Sequence, residues 1–534
     1  IFIISLYGKQ FLFIAPAEDD PALTVAVYLY NDSGLDFPHI MLQDSMFNNV
    51  EGIPDGKYRW VCLYEQESVV NSIISYADKV IDAIERLIEL LSMNEIEKER
   101  EFQKEFIFYW NSHAVSKKEF TIYLRSGHVF AEMDTYYGEK CVRVVDCTTQ
   151  LSDIDSRENG KRKWIRHVEN DVFFIPIVDC RGILPPHRGY RWTIKDIKNI
   201  IYAPQIEHIS TDTFQKMKSI VPKTQNVILV FRMQTEASQA VFAAKIKCNN
   251  IKGHTLLEKL LKDIVLVEPL YTTRKDYLYL NEQIGNDIGL LEKKVLLVGA
   301  GSLGSYVAFE LVKNGISSIK IFDGDKLQDE NILRWAYGGF GKGSNKATTI
   351  SILLNLLHPE VKAEAVPQNI EEKNLIEEVS TVDLIVVTIG SSDEQLKFNR
   401  ALKAVKCPVP VVFVWLEAGG VYSHILVVSY QQPGCFECLY TDKNGHAVNN
   451  RGSRNTGKLQ NKATIRNGCG GTRAAYGTAI LLRTTAVLLD TIRSIMSHEI
   501  TGNILIDIFP NTVRISDTKF PEEACTCCGN RKKQ

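Results

Sequence analysis

The last half of this sequence predicts an α/β domain built on a doubly wound, Rossmann-like parallel sheet, and two observations point there. From about residue 276 onward, apolar strands alternate with helices of regular length, a rhythm that implies a parallel sheet covered on both faces. A glycine-rich turn, Gly299-Ala300-Gly301-Ser302-Leu303-Gly304, sits directly between the first of those strands and its helix. At 534 residues the chain is too long for one core. The sequence divides into an α+β domain over 1–115, an α/β or α+β domain over 116–275, and the doubly wound domain over 276–534.

Taken in order, the opening stretch Ile1 to Pro16 is apolar but lacks a basic start and a small-residue cleavage site. It predicts two strands rather than a signal peptide. The first residue is Ile rather than Met, which predicts a start truncated upstream. Phe11 to Ile14 and Leu23 to Tyr28 are strand-like, and Asn31-Asp32-Ser33-Gly34 is turn-rich. Val80, Ile84, Leu87, Ile88 and Leu91 fall on one face of a helix. The charged run Glu95 to Lys104 predicts a solvated helix face. Between 116 and 275, strands such as Val172–Ile175 and Val227–Val230 alternate with polar connectors, and no catalytic constellation stands out. This region is expected to be a scaffold.

In the last half, Val295–Val298 is a buried strand, Ser302–Asn314 a helix and Ser318–Phe322 a second strand. Lys346–Leu357 is a further helix and Leu384–Thr388 a further strand.

Composition narrows the function classes. Hydrophobic residues make up 45% and charged residues 24%, with 62 basic against 64 acidic side chains and a net charge of -2. Nothing in that balance implies a nucleic-acid or membrane surface. No apolar run reaches the roughly 18 residues that span a bilayer. The expectation is a cytoplasmic protein whose 12 cysteines stay reduced and serve metals or catalysis.

The glycine turn lets a phosphate approach backbone N–H groups at a helix N-terminus, which gives Gly299, Gly301 and Gly304 their purpose. Asp323 closes the next strand, where a carboxylate can accept ribose hydroxyls. A dinucleotide-binding dehydrogenase uses the same glycines and acid. It has no need of the residues that follow, Asp325, Asn331, Arg334 and Lys346. Attack of a carboxylate on an ATP α-phosphate gathers negative charge that Arg334, Lys346 and a metal ion could stabilise.

The stretch Lys294 to Ala347 resembles the adenylation domain of ubiquitin-activating-type enzymes, including those that activate sulfur carriers. The resemblance implies that Asp323 binds ribose and that Asn331, Arg334 and Lys346 surround the phosphates of ATP. In that family an Asp-Asn after the fourth strand binds Mg2+. Here Val387-Thr388-Ile389-Gly390-Ser391-Ser392-Asp393 stands in its place, leaving Asp393 as a substitute. The family also borrows an Arg from a segment before the glycine loop. Arg274 lies in such a segment, and a surface Arg is the other reading.

Cys435-Phe436-Glu437-Cys438 and Cys525-Thr526-Cys527-Cys528 each offer a Cys-x-x-Cys pair. Four thiolates suit a structural Zn2+, and the resembled family often carries the same two pairs. The alternative is unrelated buried thiols, with Cys527 spare or an alternative ligand. Cys469, within Asn467-Gly468-Cys469-Gly470-Gly471, suits nucleophilic attack on an acyl adenylate to give a thioester. A helix starting near Thr472 would lower its pKa. A loop thiol without a role is the other reading.

Near the N-terminus, Phe37-Pro38-His39-Ile40 precedes Gly56 to Leu63 and then a helix, an order similar to the ubiquitin-conjugating fold. The resemblance makes Cys62 the acceptor of the acyl group, although taken alone it would be a core thiol. The whole chain resembles fused activating–conjugating enzymes of bacterial CBASS antiphage operons. That resemblance implies a homodimer activating the flexible C-terminal tail of a cGAS-like nucleotidyltransferase for ligation to a target amine. The competing readings are a sulfur-carrier adenylyltransferase, an NAD-binding oxidoreductase and a nucleotide-sensing module.

Overall fold

The structure is a computed structural model. It describes residues 2–6, 9–14, 25–29, 39–42, 48–52, 59–61, 76–124, 129–138, 141–146, 165–166, 170–187, 190–235, 239–358, 360–454, 464–467, 471–510 and 515–529. The chain divides into two compact units, Ile1–Asp276 and Tyr277–Gln534.

In the first unit a six-stranded antiparallel sheet begins with Phe2–Leu6 and Lys9–Ile14, so the apolar opening forms two strands. Val25–Leu29 and His39–Leu42 follow, then Arg59–Val61 and, at the edge, Asn48–Gly52. Helix Tyr76–Ser92 comes next. It buries Ala83, Leu87 and Leu90, whereas Ile88 is 57% exposed. Of the expected stripe, Leu87 is buried and Ile84 half-buried, Ile88 is exposed with Leu90 buried beyond it, and the side chains of Val80 and Leu91 lie outside those described.

Helix Glu95–Lys104 opens on a capping box, in which Asn94 and Glu97 satisfy each other's backbone N–H groups. Its acids are largely in solvent, but Phe102 and Gln103 turn inward. Gln103 Nε2 donates to the carbonyls of Cys180 and Ile183 at 2.9 and 3.2 Å. Helix Phe106–Ser112 sends Trp110 Nε1 to Leu270 O at 3.1 Å. It joins the core of a second sheet, whose centre is the antiparallel run Val227–Gln234, Gln239–Cys248 and Ile264–Arg274. This eight-stranded sheet closes on itself where Ala131–Tyr137 pairs with Cys141–Asp146.

The second unit is a doubly wound sheet. Five parallel strands lie in the order Lys362–Val366, Ser318–Phe322, Lys294–Val298, Leu384–Val387, Val411–Leu416. Ser423–Val428, Ile504–Ile508 and Ile515–Asp517 extend it antiparallel. Helices Ser302–Lys313 and Thr478–Met496 pack on one face, and Glu372–Ser380 and Ser392–Ala404 on the other. The central strands are buried on both faces, which is why Leu384–Val387 is an unbroken apolar run rather than an alternating one. The strand order reverses direction between Lys294–Val298 and Leu384–Val387, and open α/β sheets bind ligands at such a crevice. Among the described residues, no helix is long and apolar enough to cross a membrane.

Candidate functional site

The glycines meet three separate demands at that crevice. Gly299 has φ +100°, a left-handed conformation that side chains disfavour. A Cβ on Gly304 would stand 2.0 Å from Gly299 O, so the helix could not approach the turn with any side chain there. Gly301 caps helix Ser302–Lys313 and has open space around its Cβ position, where it lines a cavity of about 500 Å³. Thr388 Oγ1 donates to Gly299 O at 2.7 Å and ties the turn to the neighbouring strand.

Asp323, Asp325 and Lys346 line the same cavity. Asp323 Oδ2 accepts from Ala300 N at 2.6 Å and Oδ1 from Asp325 N at 2.8 Å. Each oxygen keeps a lone pair for a further donor. Burial pushes the Asp323 carboxyl above its ordinary range, against the downward pull of those two N–H groups and Lys346. Lys346 Nζ lies 2.9 Å from Asp325 Oδ2, and its side chain is only 10% exposed while that of Asp325 is 77% exposed. Asn345 holds the pair in register. Its Nδ2 donates to the carbonyls of Asp323 and Asp325 at 2.7 and 3.2 Å, and its Oδ1 caps the next helix through Thr348 N.

Other expected residues stand elsewhere. Asn331 accepts from Gln328 N at 3.2 Å and, like Arg334, is not on the cavity wall. Asp393 is exposed, paired with Lys397 Nζ at 2.8 Å, and also off the wall. Arg274 belongs to the first unit and is buried, making a two-pronged contact with Asp276 at 2.7 and 3.0 Å, so it is not a surface Arg.

Magnesium takes one or two carboxylates in addition to phosphate oxygens. On this wall Asp325 is engaged by Lys346, Glu394 by Lys397 at 3.0 Å, and both oxygens of Asp323 by backbone N–H groups. Glu371 has a partner of its own. Asp325, largely exposed on this wall and engaged by Lys346 through Oδ2 alone among the described residues, would be the carboxylate to hold Mg2+ beside the phosphates.

Four thiols do gather. The Sγ atoms of Cys435, Cys438, Cys525 and Cys528 all lie within 4.8 Å of one another, with Cys435–Cys525 at 3.9 Å and Cys438–Cys528 at 3.3 Å. Tetrahedral Zn–S bonds of about 2.3 Å separate the sulfurs by about 3.8 Å, so the donor set fits zinc. Hydrogen bonds from Cys435, Cys438 and Cys528 push the Cys525 thiol down toward the thiolate. Cys527 instead accepts from Asn399 Nδ2 at 3.4 Å and stands outside the group.

Cys62 and Cys469 lie outside the described residues. Around Cys469, strand Thr464–Asn467 pairs with Gly471–Ala474. The helix expected near Thr472 therefore begins later, at Thr478 behind the N-cap Gly477. Strand pairing and the low helix propensity of glycine keep 471–474 extended, which removes the dipole argument for Cys469.

Residues 285–527 match the ThiF family. The chain is 28% identical over 179 residues to the ATP-dependent ubiquitin transferase-like protein Cap2 of Pseudomonas aeruginosa, covering 33% of this chain and 32% of that protein. To Cap2 of Enterobacter hormaechei it is 31% identical over 151 residues, 27% of this chain and 24% of the relative. The chain thus spans a quarter to a third of the length of these relatives. Ubiquitin-like modifier-activating enzyme 5 of Aedes aegypti is 28% identical over 163 residues, 28% of this chain and 40% of that enzyme. Among solved structures, E. coli MccB with ATP is similar at TM-score 0.35 and 18% identity, over 47% of this chain and 70% of that one.

Within the matched segment, sequence reasoning missed Asn345 and Thr388, which hold the cavity's shape. Asn345 had a signal, because Ser-Asn-Lys before an apolar helix is an N-cap pattern. Thr388 had none, since its partner is 89 residues away. A buried trio of His424, Glu417 and Asp507 in the same segment, completed by the exposed Arg454, also escaped notice.

Proposed function

We propose that this chain activates the C-terminal carboxylate of a partner protein with ATP and passes the acyl group through cysteines to an amine. The observation that carries the reading is one cavity holding Gly299, Gly301, Asp323 and Lys346 together at the switch point of the sheet. Asp323 accepts the ribose hydroxyls, the backbone N–H groups at the start of helix Ser302–Lys313 meet the phosphates, and Lys346 adds positive charge. Arg334 and Asn331 serve the same nucleotide from the segment beside the glycine loop.

The carboxylate oxygen attacks the α-phosphorus, the bond to pyrophosphate breaks, and an acyl adenylate forms. The Cys469 thiolate attacks the acyl carbon and AMP leaves. The Cys62 thiolate then takes the acyl group, and a target amine displaces it to form an amide with loss of a proton. Lys346 and Arg334 stabilise the charge that gathers at the α-phosphate. Zinc on Cys435, Cys438, Cys525 and Cys528 would pin the C-terminal turn to the domain.

Similarity to the two Cap2 proteins supports ATP-dependent ubiquitin-like transfer, and it motivates the finer assignments: a cGAS-like nucleotidyltransferase as partner, a homodimer, a cytoplasmic setting. The test combines the purified chain, ATP and a candidate partner bearing a free C-terminal tail. The expected result is a reducible adduct on Cys62, absent from Cys62→Ala and from Cys469→Ala. Pyrophosphate release with sulfur transfer and no Cys62 adduct would favour the sulfur-carrier activator. No pyrophosphate release with any tail would overturn the reading.

A further inference from the structure

Arg334 stands off the cavity wall but is fastened beside the glycine loop. Trp335 Nε1 donates to Ala300 O at 3.1 Å, and Ala336 N donates to Ser305 Oγ at 3.0 Å. The Arg334 guanidinium lies over the Tyr476 ring, 5.3 Å from its centroid. Its Nε is buried with no hydrogen-bond partner among the described residues. A buried donor left unpaired is costly, and a cation over an aromatic face recovers part of that cost without using up the N–H.

Tyr476 is itself held in place. Gly419 N donates to Ala475 O at 2.8 Å. Gly420, at φ +64°, packs so closely that a Cβ there would stand 3.0 Å from Tyr476 Cβ. Glu417 and His424 flank the turn that carries these glycines. His424 is fully buried, 2.7 Å from both Glu417 Oε1 and Asp507 Oδ1. Arg454 closes the quartet, its backbone N donating to Glu417 Oε1 at 2.6 Å and its Nε to Asp507 Oδ2 at 2.8 Å.

We infer that Tyr476 is a positioning residue, whose ring holds the Arg334 guanidinium beside the glycine loop so that its terminal N–H groups, rather than the buried Nε, donate to a phosphate oxygen of the bound triphosphate. The inference rests on the reading of the cavity as an ATP site. Because Tyr476 lies two residues past the end of strand Gly471–Ala474, the same contact links Arg334 to the strands on either side of Cys469 in sequence.

The test titrates the full chain calorimetrically with ATP and with adenosine, which lacks phosphates. Tyr476→Leu should weaken ATP about tenfold and change adenosine by less than about twofold. Tyr476→Phe keeps the ring and should retain wild-type ATP affinity. Tyr476→Leu combined with Arg334→Ala should bind ATP no more weakly than Arg334→Ala alone, as expected of residues acting through one contact. The inference is overturned if Tyr476→Leu weakens both ligands alike, leaves both unchanged, or adds its loss to that of Arg334→Ala. A wild-type chain that binds adenosine and ATP equally, or neither, would overturn the ATP reading and this inference together.

Discussion

At Gly304 a single carbon decides whether the loop closes, since a Cβ would meet Gly299 O at 2.0 Å. Gly304→Ala should therefore lower stability by about 1–3 kcal/mol or more, read as a shift in the urea midpoint; an unchanged midpoint would contradict the geometry. Lys346→Met should weaken ATP about tenfold while sparing adenosine, and equal losses would deny Lys346 a phosphate partner. The His424 quartet makes a pH prediction. Burial pulls the His424 imidazolium down, but hydrogen bonds to Asp507 and Glu417 outweigh it and raise its pKa above the ordinary 6.5. Against the pull of burial, hydrogen bonds from His424 lower Glu417 and Asp507 below their ordinary 4.5 and 3.8. The raised base contributes fully below 6.5 and is lost as pH rises through its folded value. The lowered acids contribute fully above 4.5 and are lost as pH falls. The stability gap between wild type and His424→Gln should thus be widest between about pH 4.5 and 6.5 and narrow at alkaline pH; a gap independent of pH would contradict it. The shared place of Asp323 and Lys346 on the cavity wall was legible because it follows from short spacing after a glycine turn. The quartet was not, because positions 417, 424, 454 and 507 meet only through strand pairing.

Elements were legible where periodicity had one solution. Strand Ser318–Phe322 stands where the pattern put it, while the first-unit helix exposed the limit of such patterns. Leu87 and Ile88 are both apolar neighbours, yet only Leu87 is buried. Leu87→Ala should cost about 2–5 kcal/mol and Ile88→Glu almost nothing, measured by thermal unfolding; the reverse order would mean the helix is turned. Strand Gly471–Ala474 overrode an expected helix because it pairs with the nearby strand Thr464–Asn467. The four-cysteine group joins a short 3₁₀ turn, Phe436–Tyr440, to the C-terminal residues ninety positions later. The chain should purify with about one zinc per molecule, and Cys435→Ser with Cys525→Ser should lose it and lower the melting midpoint. Four freely titratable thiols in the native chain would contradict the site.

For the whole molecule, strand and helix alternation conveyed the doubly wound sheet because a parallel sheet needs crossovers that leave their mark in sequence. The closed sheet of the first unit was less legible, because its hairpins are joined through distant pairs such as Leu270 with Ser116. Which nucleotide the second unit holds decides the rest, since the roles of Cys62 and Cys469 follow from an acyl adenylate. Calorimetric titration of the purified chain with ATP and, separately, NAD tests that most directly. ATP should bind at least about tenfold more tightly than NAD, with the preference lost in Lys346→Met. Tighter binding of NAD, unaffected by Lys346→Met, would contradict the account.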